Sequence, residues 1–291
     1  MRFKTIISAV LCLLATACSP TGATPDDGDK PWSWGSKDDG PQQVGSSFYP
    51  KKDGSFRIMV YNVGVFSKYM DNSTDMVAAM IKEVEADVVA LNELDSVNTR
   101  HRINQAAALA SALGSWQWRY GRTMAYREGA YGNGVVLPSS SKILDHYVVS
   151  LTRMGDYEPR GLCVVETKDY VIASCHVDHS SDEYALSQMN EIIKWANSRY
   201  KDYDKPVFFC GDMNSVPDSE AIAKLKGAFD LISSAEPSVP VSGPTRCIDY
   251  IFHYRGSKAV KVIGSNTMTK FTNGDVTKAS DHCPVYVDVK L

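Results

Sequence analysis

Gly211-Asp212-Met213-Asn214 directly follows the apolar run Val207-Phe208-Phe209-Cys210. A carboxylate and an amide two residues apart on extended backbone point to the same side and can grip a metal ion or a water together. An aspartate and an asparagine after a strand also serve simply as a turn. Other polar groups stand in the same kind of place: Asn62 after an apolar run, Glu93 after Val88-Val89-Ala90-Leu91, His176-Val177-Asp178-His179 after another, and Asp281-His282 before the last. Asp249 lies inside the apolar stretch Ile248-Asp249-Tyr250-Ile251. An unpaired carboxylate there is costly, so it needs a partner, and a histidine donating its ring N–H is a suitable one. Asp281-His282 supplies a candidate.

The elements that must position these groups follow from the apolar pattern. Lys205 to Cys210 reads as a short strand buried on both faces, with Gly211 turning the chain sharply after it. Ser55–Asn62 and Asp87–Glu93 read as strands, joined by a helix whose Met76, Val77, Met80, Ile81 and Val84 recur at helical spacing. If these strands are parallel neighbours, Asn62 and Glu93 share the sheet edge where open sheets collect ligands. A helix is expected over 102–113 and strands over 116–122, 131–138 and 143–151. A hairpin is expected over 161–175, an amphipathic helix over 180–200 and a short helix over 221–225. Strands at 247–252 and 285–289 close the chain.

The chain has 291 residues, 44% hydrophobic and 22% charged, an ordinary globular balance. Arg2 and Lys4 precede an apolar run from Ile6 to Ala17, too short to span a bilayer and typical of a secretory signal. Small residues leading into Cys18 resemble a bacterial lipoprotein cleavage site. That resemblance implies a lipid anchor at Cys18 and a location in the cell envelope. Residues 19–49 are rich in Gly, Pro, Asp, Ser and Lys and read as a tether, leaving 50–291 as one domain. Four of the 31 basic and five of the 34 acidic residues precede residue 50, so the domain carries 27 against 29, a net charge of −2. No basic field favours long nucleic acid as a partner. Five cysteines remain beyond Cys18, without C-x-x-C spacing; Cys163, Cys175 and Cys210 read as buried thiols, and a Cys247–Cys283 pair is conceivable.

Asn62, Glu93, His176 with Asp178, Asp212 with Asn214, Asp249, and Asp281 with His282, in this chain order at strand ends, together with Gly-Asp-Met-Asn, Ile-Asp-Tyr-Ile-Phe, Ser-Asp-His, Tyr-Gly-Asn-Gly-Val-Val-Leu and Glu158-Pro159-Arg160-Gly161, resemble the endonuclease/exonuclease/phosphatase family, the fold of deoxyribonuclease I. The resemblance covers about residues 55–291. It implies a four-layered α/β/β/α sandwich of two packed mixed sheets flanked by helices. It also implies a metal-dependent phosphoesterase in which Glu93, with Asn62 and Asp281 nearby, holds Mg²⁺ or Mn²⁺; oxygen-only ligands suit such a cation. By the same resemblance Asp212, assisted by Asn214, deprotonates the attacking water, and His176 and Asp249-held His282 donate to the phosphate oxygens. Asn133 and Arg160 are candidates to approach the phosphate, with a strand-end hydrogen bond and an internal salt bridge as the alternatives. Asp178 extends the His176 motif, as substrate contact or as support.

The leading expectation is an envelope-tethered, monomeric enzyme cleaving a phosphodiester of a lipid headgroup or small substrate. A nuclease and an inositol phosphate phosphatase are the rivals within the fold. An inactive binding lipoprotein is the alternative outside catalysis. The loops that would choose the substrate, 64–73, 122–130, 153–158 and 234–245, carry no readable motif.

Overall fold

The computed structural model describes residues 45–153 and 155–291. The signal segment, Cys18 and the tether up to residue 44 lie outside the described residues. Among the described residues no helix is long and apolar enough to cross a membrane. The folded part begins earlier than composition indicates: Ser46 Oγ donates to Glu83 Oε1 at 3.2 Å, and Tyr49 is buried against the first helix layer.

Two six-stranded sheets pack face to face. The first contains β1 (Phe56–Asn62), β2 (Val88–Ser96), β3 (Trp116–Tyr126), β4 (Gly129–Pro138), β11 (Lys261–Thr267) and β12 (Val285–Lys290), in the order β11-β12-β1-β2-β4-β3. The second contains β5 (Ile143–Ser150), β6 (Gly161–Thr167), β7 (Val171–His176), β8 (Val207–Asp212), β9 (Phe229–Leu231) and β10 (Asp249–Tyr254), in the order β5-β6-β7-β8-β10-β9. Helices α1 (Thr74–Glu83) and α2 (Gln105–Leu113) cover the first sheet, and α3 (Asp182–Tyr200) and α4 (Glu220–Leu225) the second; α5 (Val276–Ala279) is a single turn.

The layering explains the apolar patterns. In β1, Ile58 and Val60 face the second sheet while Met59 and Tyr61 face the helices. In β8, Phe208 and Cys210 fill the sandwich centre while Val207 and Phe209 lie under α3. Strands covered on both faces cannot alternate apolar with polar, hence the unbroken runs. The fold is the four-layered α/β/β/α sandwich.

Each sheet has one parallel pair at its heart, joined by a helix: β1 with β2 and β7 with β8. An antiparallel neighbour then sits beside the pair, β12 on β1 and β10 on β8. The parallel strands of a pair end at the same edge, so their terminal polar residues are brought side by side. In register, Asn62 faces Asn92, and Asp212 is flanked by His176 on one side and Asp249 on the other.

Two local expectations are corrected. Gly211 does not turn the chain; it stays within β8, paired with Cys175 and Tyr250. Its φ of 152° and a Cβ that would stand 1.7 Å from the Cys175 carbonyl oxygen explain the glycine. Asp212 and Asn214 are not two steps apart on extended backbone, because Asn214 has φ 47°. The conceivable Cys247–Cys283 disulfide is not formed: all five described cysteines are free and buried.

Candidate active site

Asp212 ends β8 with 2% of its surface exposed and gathers the other groups around its carboxylate. Oδ1 accepts from the Asn214 backbone N–H at 2.9 Å, an Asx-type turn that the left-handed Asn214 closes. Oδ2 accepts from Asn62 Nδ2 at 3.1 Å and has His176 Nε2 at 3.5 Å and His282 Nε2 at 3.7 Å. Asn214 Nδ2 donates to the Val177 carbonyl at 2.9 Å, tying the turn to the segment after His176. Burial, reinforced by the facing Asp249 carboxylate, raises the Asp212 carboxyl to about 7. A carboxyl tuned there is suited to accept a proton near neutrality.

The two histidines beside Asp212 are in opposite electrostatic settings. His176 is pushed well below the ordinary imidazole range by burial, then by the Arg160 cation and by His282, and its Nδ1 is buried without a partner among the described residues. Burial also opposes charge on His282, yet its Nδ1 lies 2.8 Å from Asp249 Oδ2 and that carboxylate raises it to about 10. One imidazole is therefore neutral and the other cationic at pH 7. Asp249 Oδ2 is satisfied by His282 and by Ser238 Oγ, which donates to it at 2.6 Å, while Oδ1 is buried with no hydrogen bond among the described residues. Ser238 comes from the loop 234–245, which reads from the sequence only as irregular chain.

Glu93 reaches the same edge through a bulge. The register of β2 against β4 shifts between Leu91 and Leu94, and Glu93 adopts φ 57°. A bulge re-aims side chains next to a site. Here it leaves Asn92 buried and Glu93 half-buried, accepting from Asn62 Nδ2 on Oε1 at 3.1 Å. Asp281, also half-buried, pairs with Lys68 Nζ at 2.8 Å. The Asp281 carboxylate and, more weakly, that of Glu93 lie near enough for their charges to favour the protonated form of that lysine.

The two carboxylates of Glu93 and Asp281 fit a hard divalent cation, whereas Asn62 turns its NH2 group towards Glu93 and engages its Oδ1 with the Gly64 N–H at 3.1 Å. A second group, Asp212, Asp249 and His282, places ligand-type atoms within 4.8 Å of one another. Its members are buried and already linked by the His282–Asp249 hydrogen bond, an arrangement suited to moving protons.

The remaining candidates divide. Arg160 is 4% exposed, with Nη2 3.1 Å from His179 Nδ1 and 3.2 Å from Glu158 Oε2, while Nε is buried without a partner among the described residues. It stands close enough to His176 to depress that ring's basicity. Asn133 is turned inward: Nδ2 donates to the Gly161 carbonyl at 2.9 Å and Oδ1 accepts from Asn92 Nδ2 at 3.0 Å. Asp178 holds the turn into α3, Oδ1 accepting from the Ser180 N–H at 2.7 Å. For Asn133 and Asp178 the geometry is that of support, not of substrate contact.

Asn92 is the residue that sequence reasoning passes over. Its Oδ1 accepts from the Asp212 backbone N–H at 3.0 Å, and Nδ2 donates to the Cys175 carbonyl at 2.8 Å. Ser174 Oγ adds a bond to the Leu91 carbonyl at 2.9 Å. At this end the apolar centre of the sandwich thus gives way to hydrogen bonds joining the two sheets. Ser280, whose Oγ donates to the Asn62 carbonyl at 2.6 Å, fixes the Asp281-His282 segment in the same way. Polar residues inside otherwise apolar strands are the only sequence signal for Asn92 and Ser174. Asn92→Ala strands the Asp212 N–H, the Cys175 carbonyl and Asn133 Oδ1, and is expected to cost about 2–4 kcal/mol. Urea unfolding measures this; a loss under about 0.5 kcal/mol would show that the inter-sheet bonds do not hold the site.

Comparison with known proteins bears on the fold and the family. Residues 59–282 match the Endonuclease/Exonuclease/phosphatase family. No curated protein sequence matches. Among solved structures, a Bacteroides vulgatus endonuclease/exonuclease/phosphatase is 18% identical with a TM-score of 0.65, over 81% of this chain and 99% of that one. The Bacteroides thetaiotaomicron mannosyl-6-phosphatase is 16% identical with a TM-score of 0.66, over 81% and 99%. The human Nocturnin catalytic domain, solved with a bound sulfate anion, is 17% identical with a TM-score of 0.62, over 82% and 95%. At such identities the likeness to these structures is one of fold.

Proposed function

Since this chain belongs to the endonuclease/exonuclease/phosphatase family, whose members are hydrolases acting on phosphate esters, we propose that it is a divalent-cation-dependent phosphoesterase acting on a lipid headgroup or another small substrate. The observation that carries the reading is the placement of Asp212 between a neutral His176 and a cationic His282, with Asn62 linking it to Glu93. Asp212 takes the proton of the attacking water, with Asn62 and the Asn214 N–H holding its carboxylate in place. His282 donates from Nε2 to a non-bridging phosphate oxygen, its charge maintained by Asp249. His176 supplies a neutral ring on the other side. Glu93 and Asp281, with Asn62, would hold Mg²⁺ or Mn²⁺, which when bound supplies Lewis-acid stabilisation of phosphoryl and leaving-group oxygens.

A phosphodiester is the primary substrate class in this reading, because nothing in the domain's charge favours the extra anionic groups of polyphosphorylated substrates. A monoester reading has one observation in its favour: Arg160, with a buried Nε lacking a partner, stands beside His176, and Lys68 lies at the cation position. Two guanidinium or ammonium groups suit a dianionic phosphate. The lipid anchor at Cys18 and the envelope location remain part of the proposal and rest on the N-terminal sequence alone.

The deciding experiment is hydrolysis of bis-p-nitrophenyl phosphate, p-nitrophenyl phosphate, sphingomyelin, sugar 6-phosphates, inositol phosphates and plasmid DNA, before and after treatment with EDTA. The expected result is turnover of one small-ester class that EDTA abolishes and Mg²⁺ or Mn²⁺ restores. Turnover indifferent to EDTA would remove the cation from the reading, and preferential cleavage of DNA would replace the small substrate by nucleic acid.

A further inference from the structure

Lys68 enters the site from a turn that the backbone adopts only under strain. Gly64, Val65 and Phe66 have φ of 50°, 52° and 54°, three consecutive residues in the left-handed region. For a β-branched valine and a bulky phenylalanine this conformation is unfavourable and persists only where surrounding contacts impose it. Those contacts are present. Gly64 N–H donates to Asn62 Oδ1 at 3.1 Å, Gln105 Nε2 to the Val65 carbonyl at 2.5 Å, and Ser73 N–H to the Phe66 carbonyl at 2.7 Å, while Phe66 is buried. A Cβ on Gly64 would lie 3.2 Å from Lys68 Cβ and 3.5 Å from Asp281 Oδ1, so the turn sets the lysine and the aspartate on the same side of this glycine.

The outcome is an ammonium group 2.8 Å from Asp281 Oδ2, on a side chain 43% exposed and therefore free to leave. Asp281 and Glu93 are the two anions offered to a divalent cation, and Lys68 neutralises one of them. We infer that Lys68 is an internal competitor for the cation site: it is the counter-ion of Asp281 in the metal-free protein and must be displaced when the divalent cation binds. This sets how much cation the enzyme needs before it is loaded, and it rests on the reading of Glu93 and Asp281 as cation ligands.

Removing a competing positive charge a few ångströms from the ligand position, in a partly exposed setting, is worth about tenfold in affinity. The test is Mn²⁺ binding by the full chain, followed by the loss of the free-ion electron paramagnetic resonance signal, for wild type, Lys68→Met, Lys68→Arg and Glu93→Gln. Lys68→Met is expected to bind Mn²⁺ about tenfold more tightly, while Lys68→Arg, which keeps the charge, stays within about threefold of wild type. Unchanged or weaker binding in Lys68→Met, with Glu93→Gln impaired, overturns the competition while leaving the ligand assignment standing. Undiminished binding in Glu93→Gln overturns the ligand assignment itself. Lys68 is exposed and takes no part in the hydrogen bonds of Gln105 or of the Phe66 carbonyl, so its substitution leaves those contacts in place.

Discussion

Asp212→Asn is expected to lower kcat by about 10²–10⁴-fold, the usual contribution of a positioned general base, while making the protein more stable above neutral pH. The two effects have one cause. Burial and the neighbouring Asp249 raise the Asp212 carboxyl from 3.8 to about 7 in the folded state. Between those values the folded protein holds a proton that the unfolded chain has released. The cost of Asp212 is therefore absent below pH 3.8, grows as pH rises through this window and is complete above about 7. An amide carries no charge at any of these pH values and escapes that cost.

The gain is on the order of 2 kcal/mol at pH 8.5. It is trimmed because an amide nitrogen at the Oδ2 position faces Asn62 Nδ2, and because His282 loses an anionic neighbour. Calorimetric melting at pH 5 and pH 8.5 measures it, alongside the rate. A variant that keeps a tenth or more of the activity would remove Asp212 from the base role. One destabilised equally at both pH values would show that its hydrogen bonds outweigh its charge. In the wild type the same carboxyl makes kcat/KM rise with pH through about 7.

His282→Ala is expected to cost about 10²–10³-fold in rate, and Asp249→Asn somewhat less, because Asp249 acts through the imidazole it holds. The double variant should lose little more than His282→Ala alone, since two residues acting as a unit are not additive. Additive losses would separate their roles. The pH profile carries the finer test. Although burial opposes the charge, Asp249 and Asp212 hold the His282 ring protonated up to about 10. The alkaline decline of the wild-type rate is then expected near that value, and in Asp249→Asn it moves down towards the ordinary histidine range. Stability follows with its own sign. The folded-state value is raised, so the ion pair stabilises fully below the unfolded value of about 6.5 and is lost as pH rises through about 10. A profile that does not move in Asp249→Asn would show that the pair does not govern the charge of His282.

The chain's residue pattern indicated strands and helices in alternation with polar chemistry at strand ends, and the family resemblance implied the layered sandwich. Strands β1, β2, β7 and β8 lie between two apolar layers, so each had to be written as an unbroken apolar run. Any polar group placed where such a run stops is left at the sheet edge. That is why Asn62, Glu93, His176 and Asp212 were legible, and why Asp249, a lone acid inside such a run, announced its need for His282. Short elements such as β9 and α5 carry too few residues for a period to show.

Only the tertiary structure decided how these edges meet. Asn92 bonds to Cys175 and Asp212 on the opposite sheet, contacts about 80 and 120 residues away that no local pattern encodes. The polar atoms of Asn133 and Asp178 are engaged by the facing sheet and by the start of α3, partners that no local pattern encodes. Gly211 looked like a turn because glycine signals one locally, whereas its true constraint is the Cys175 carbonyl of the neighbouring strand. Lys68 was invisible among the basic residues until the strained turn at Gly64–Phe66 carried it to Asp281. Local sequence records which face each residue must bury. The pairing of charges depends on which distant strands are brought within reach, and that is settled only when the two sheets pack.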